Sequence, residues 1–151
     1  TYSVPGARIG WTVSNKELAD RFRVYRDYTM ICDGVFNDAL AVHVLRNRDK
    51  VLERNRAIVT GNLAVLERWL KGQPKLSFVK PRAGTTAFLK MEFDMPSADF
   101  CRGLLTEKGV LLVPGSVMDR EGYLRIGYAN TPEVIAAGLD KMGEYLAELP
   151  L

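Results

Sequence analysis

Two short stretches of the chain repeat one another: Arg8-Ile9-Gly10-Trp11 and Arg125-Ile126-Gly127-Tyr128. Each sets an arginine on a segment whose alternation reads as a strand, with small residues on the same face. Around Arg125 these are Gly127 and Ala129, while Leu124, Ile126 and Tyr128 take the opposite face. A guanidinium so placed has room for an oxyanion, because its planar fork of N–H donors matches a carboxylate or a phosphate through two parallel hydrogen bonds. The other use of the same residue is an ion pair with an Asp or Glu of the protein itself. Spacing leaves both open.

Other residue types point away from metal and nucleic-acid chemistry. Cys32 and Cys101 have no partner at metal-site spacing, and the single His43 cannot complete a ligand cluster, so neither a zinc site nor a disulfide framework is expected. His43 falls on a helical segment and reads as a surface or packed side chain. The basic run Arg46, Arg48, Lys50, Arg54 and Arg56 is interleaved with Asp49 and Glu53 at helix-pair distances, which describes a solvated helix face. Lys and Arg exceed Asp and Glu by 21 to 18, and a net charge of +3 is too small to imply a nucleic-acid surface. Tyr2 and Trp11 are either cofactor-lining or core aromatics.

These residues need elements to position them. With 47% hydrophobic and 26% charged residues, the 151-residue chain is globular rather than disordered. No apolar run approaches the roughly 20 residues of a membrane span, and nothing reads as a cleavable signal, so a cytoplasmic protein is expected. The chain starts at Thr1, and its first ten residues read as mid-domain material. Alternation predicts a short strand over Arg8–Val13, and Ser14 as cap of a helix over about 15–28. A second helical face follows Gly34. The strongest helix runs from Asp49 to Leu70 with two apolar stripes, which calls for two packing partners. After Lys71-Gly72-Gln73-Pro74 the pattern becomes α+β: strands at Leu76–Val79 and Thr86–Phe93, a helix capped by Ser97 and ended by Gly109, strands at Val110–Val113 and Tyr123–Tyr128, and a last helix opened by Thr131-Pro132.

The stretch Tyr2-Ser3-Val4-Pro5-Gly6-Ala7-Arg8-Ile9-Gly10-Trp11 resembles the segment that follows the cofactor lysine in class I/II aminotransferases, the aspartate-aminotransferase-like fold-type I enzymes that use pyridoxal 5'-phosphate (PLP). Downstream, Lys80-Pro81-Arg82-Ala83-Gly84-Thr85, Val113-Pro114-Gly115-Ser116 and Tyr123-Leu124-Arg125-Ile126-Gly127-Tyr128 are similar to the same family in order and spacing. The resemblance implies that Arg8 binds the PLP phosphate and Arg125 the substrate's α-carboxylate, with Gly84 and Thr85 near the substrate. The Schiff-base lysine would lie just before Thr1, so no catalytic residue is assigned in this chain and no metal is implied. Where many relatives continue with an aromatic and Gly after Pro114-Gly115, this chain has Ser116-Val117-Met118-Asp119.

The expected fold class is therefore α/β overall, as the C-terminal part of a fold-type I PLP enzyme. Residues 1–48 would be a large-domain remnant, 49–72 the long interdomain helix, and 73–151 a small α+β domain with a short, mainly antiparallel sheet. The expected function is that of an aminotransferase taking an α-amino acid and a 2-oxo acid, homodimeric at full length, with this portion alone inactive. A PLP-dependent lyase or cyclase on the same scaffold is the nearest alternative. A small-molecule-binding regulatory module built from Leu76 onward is the other.

Overall fold

A computed structural model describes residues 1–150. The chain forms two compact units, Thr1–Asn55 and Arg56–Leu151.

In the first unit a 3-10 turn at Pro5–Ala7 precedes helices α1 (Lys16–Thr29) and α2 (Val35–Arg46) and the opening turns of α3 (Arg48–Leu70). The strand expected over Arg8–Val13 does not form. Arg8 closes the 3-10 turn in the left-handed region, at φ 50°, with its N–H on the Pro5 carbonyl, and Trp11 and Val13 stay exposed. Alternation becomes a strand only where a neighbour accepts the ladder bonds, and this unit holds no strand among its described residues. Helix α1 starts from Asn15 rather than Ser14, because the Asn15 side chain accepts the Leu18 N–H at 2.9 Å. None of its residues is buried. The buried Asn55 amide donates to the Thr1 carbonyl at 2.9 Å, tying the start of the chain to α3.

Helix α3 is unbroken over 23 residues, as the sequence predicts. In the second unit its Leu66 and Leu70 are buried, and Val59, Leu63, Val65 and Trp69 pack against the same core. That core lies on one face of a four-stranded antiparallel sheet in the order β1-β2-β4-β3, with β1 at Leu76–Phe78, β2 at Thr86–Met91, β3 at Val113–Pro114 and β4 at Tyr123–Gly127. Ala87, Leu89 and Met91 of β2 and Leu124 and Ile126 of β4 point into it. They meet Phe100 and Leu104 of α4 (Ser97–Lys108) and Ile135, Leu139, Met142 and Leu146 of α5 (Pro132–Glu148). Period-two alternation therefore puts Thr86, Phe88, Lys90, Tyr123 and Arg125 on the opposite face, exposed or half-buried.

Two expectations shift here. The strand predicted at Val110–Val113 shrinks to Val113–Pro114: β3 is an edge that pairs with β4 alone, and in that register Val110 would fall opposite Tyr128, beyond the end of β4. Ser97 is the first helical residue of α4 rather than its cap. Its N–H donates to the Glu121 carboxylate at 2.6 Å, so a side chain from a distant loop fills the capping role.

Candidate functional site

Arg125 sits mid-sheet, its Cα paired with Phe88 of β2 on one side and Val113 of β3 on the other. Phe88 and Tyr123 meet edge-on, with centroids 6.3 Å apart at 68°, and wall one flank of the open face. The Arg125 Nη1 lies 3.8 Å from the Met118 sulfur. Among the described residues no carboxylate oxygen comes within 4.0 Å of this guanidinium. The internal ion pair that spacing left open is thus not made. A thioether is a weak acceptor, so Met118 leaves the charge unneutralised.

The loop that carries Met118 is pinned from several sides. It forms a 3-10 turn at Gly115–Met118, and the Arg120 N–H returns to the Gly115 carbonyl at 3.0 Å. The Ser116 N–H reaches the Ser97 hydroxyl at 3.3 Å, and one Glu121 oxygen accepts both the Ser97 N–H and, at 3.0 Å, the Gly122 N–H. These bonds, the Ser97 N–H first, hold the Glu121 carboxyl below its ordinary pKa.

Behind the strand, Asn62 of α3 is 1% exposed and donates to the Tyr128 carbonyl at 2.9 Å and the Asn130 carbonyl at 2.7 Å. The Tyr128 hydroxyl, on an equally buried ring, donates to the Gly84 carbonyl at 3.0 Å, and its N–H to the Thr85 carbonyl at 2.9 Å. One buried network therefore fixes the exit of β4, the Gly84–Thr85 turn and the long helix against each other. Sequence reasoning missed Asn62, Glu121 and Met118 as parts of the site. The first two are lone polar residues with no period around them. Met118 carried a signal, its departure from the family pattern after Pro114-Gly115.

In the first unit, Arg8 lines an open cleft of about 800 Å³ with Trp11, Phe22, Arg23 and Arg26. Arg26 is 3.6 Å from Asp33, whereas Arg8 and Arg23 have no carboxylate partner among the described residues. Such a donor set fits a phosphate dianion. Elsewhere the chemistry is quiet. Among the described residues no group of His, Cys, Asp and Glu could hold a metal, and no helix is long and apolar enough to cross a membrane. The Cys101 thiol is pushed up to about 11 by burial, which keeps it unreactive.

The family described as aminotransferase class I and II matches residues 1–141. The chain belongs to this family. A solved PLP-dependent aminotransferase from Streptococcus suis is 46% identical and superimposes with a TM-score of 0.95, covering 100% of this chain and 40% of its own. The PLP-dependent cyclase OrfR is 28% identical with a TM-score of 0.91, over 98% of this chain and 41% of its own. Capreomycidine synthase of Streptomyces vinaceus is 28% identical over 146 residues, 96% of this chain and 38% of that protein. The chain thus spans about 40% of the length of the relatives it matches. Its fold is the α/β arrangement of the fold-type I aminotransferases, and the cofactor of that family is pyridoxal phosphate.

Proposed function

We propose that the full-length protein is a PLP-dependent aminotransferase that moves an amino group from an α-amino acid to a 2-oxo acid, with these residues as its C-terminal portion. One observation carries this reading: Arg125 holds an unpaired guanidinium on the open face of the sheet. In this role it binds the substrate's α-carboxylate through two parallel hydrogen bonds and so orients the α-carbon. Asn62 and Tyr128 keep its strand and the Gly84–Thr85 turn in place behind it.

Arg8 would hold the cofactor's phosphate, supported by its cleft shared with Arg23 and Arg26. When bound, PLP supplies an electron sink for charge left on the α-carbon. The lysine that bonds the cofactor precedes Thr1 in this reading, so the portion alone does not transaminate. Residues 1–48 complete a large domain, 49–72 bridge, and 73–151 form the small domain. The protein works as a cytoplasmic homodimer without nucleic-acid or membrane partners. Exposed Tyr28, Ile31 and Phe36 support burial of the first unit against more protein.

The test is Arg125→Lys in the full-length enzyme. It should lower kcat/KM for every amino acid by about 2 to 5 kcal/mol of lost stabilisation while PLP stays bound. Retention of most activity, with Arg125→Ala only lowering the melting temperature, overturns the reading.

A lyase or cyclase outcome is the second reading, favoured by the likeness to OrfR and capreomycidine synthase. Both arginines serve it equally. Mass spectrometry of the products separates the two, since only transamination converts an added 2-oxo acid into an amino acid.

A further inference from the structure

Resting on the reading of Arg125 as the carboxylate-binding residue, we infer that this site selects an acid with a single carboxylate and an apolar substituent beside it, and that Met118 sets the preference.

The strands carry two cations, Arg125 and Lys90, both on the open face. Lys90 pairs with Tyr123, which puts it on the diagonal from Arg125, about 7–8 Å across the ladder. That is within reach of a second carboxylate on a short acid. Lys90 is already engaged, however. Its ammonium lies 2.8 Å from the Glu92 carboxylate, which also accepts the Ser77 hydroxyl at 2.5 Å. The Lys90 pKa is raised and that of Glu92 lowered, each chiefly by their mutual hydrogen bond. A second carboxylate arriving here would meet a neutralised pair and the Glu92 charge.

The residues paired directly with Arg125 are apolar. Phe88 and Val113 flank its Cα, and the Met118 sulfur touches its guanidinium at 3.8 Å. In this inference an acid bound to that guanidinium has the Met118 thioether as a neighbour, since the sulfur already faces Nη1. The polarisable sulfur favours an apolar or aromatic group and offers nothing to an ion. Among the described residues, desolvating a second carboxylate against it has no compensating partner. The loop cannot easily give way, since Gly115, Ser116 and Glu121 pin it.

The test is equilibrium binding to the full-length holoenzyme by calorimetry, with hydrocinnamate as the one-carboxylate probe and succinate as the two-carboxylate probe. Hydrocinnamate should bind at least about tenfold tighter. Met118→Lys should shrink or invert that ratio, and Met118→Leu should keep it. Should Met118→Lys fail to fold, Phe88→Lys, directly across from Arg125, makes the same test with the same expected shift. Equal binding of the two probes overturns the inference, as does an unchanged ratio in a lysine variant that retains its circular dichroism and cofactor absorbance. If Arg125→Lys leaves hydrocinnamate binding unaltered, the carboxylate role of Arg125 itself falls, and this inference with it.

Discussion

Asn62 stands midway along α3 and donates its side-chain amide to the carbonyl of Tyr128, 66 residues further on, at 2.9 Å. The same amide reaches the Asn130 carbonyl at 2.7 Å, so one side chain satisfies two acceptors at the exit of β4. Asn62→Ala should destabilise the full-length protein by about 2 kcal/mol or more, because both carbonyls lose their donor. Asn62→Asp should cost at least as much, since it sets a carboxylate against two carbonyl oxygens. Urea titration checks both. An Asp variant as stable as the parent would show that water reaches this network.

Gly115 opens the pinned turn that presents Met118. A Cβ there would strike the Arg120 carbonyl oxygen and lie 2.5 Å from that of Tyr123, both rigid backbone. Gly115→Ala should therefore displace the 3-10 turn at a cost of about 1–3 kcal/mol. It should also weaken carboxylate binding at Arg125 in calorimetry. Stability and binding equal to the parent's would mean the loop relaxes freely.

Glu121 makes a prediction about acid. Its carboxyl is held below the usual value, chiefly by the Ser97 N–H and next by the Gly122 N–H. A depressed folded-state pKa contributes stability that is present above the unfolded value, about 4.3, and lost as pH falls through the folded one. Stability should thus decline below about pH 4, and Glu121→Gln should decline less steeply there. Denaturation midpoints across that range decide it. Parallel pH profiles would remove Glu121 from the account.

Arg8→Ala in the full-length enzyme should weaken PLP retention by about 2–4 kcal/mol, the scale for a charged partner left unpaired. Equilibrium dialysis against PLP measures it. Undiminished retention would leave Arg8 only its bond to the Pro5 carbonyl, a local role in closing the turn.

The strongest local signals were legible in the chain. The two stripes of Asp49–Leu70 announced α3, Gly109 ended α4 in a left-handed conformation, and small residues beside Arg125 marked a guanidinium with room around it. What failed was non-local. The alternation of Ile9, Trp11 and Val13 is that of a strand, yet among the described residues none pairs with it, and Pro5–Ala7 forms a 3-10 turn just before it. Ser97 has the residue type of a cap, yet the capping oxygen comes from Glu121, 24 positions away. A single sequence cannot announce which distant side chain will arrive at a helix end.

The uneven burial of the two units has a calorimetric consequence. Ala7 and Val44 are the buried apolar residues in Thr1–Asn55, while Phe36 is 90% exposed there, and a continuous apolar cluster fills Arg56–Leu151. The heat absorbed on melting scales with the surface exposed, so nearly all of it must come from the second unit. These residues in isolation should therefore not melt as one cooperative species. Amide protons of α1 would exchange at denaturant concentrations where those of β2 and β4 are still protected, and helical circular dichroism would begin to fall before the heat peak of the second unit.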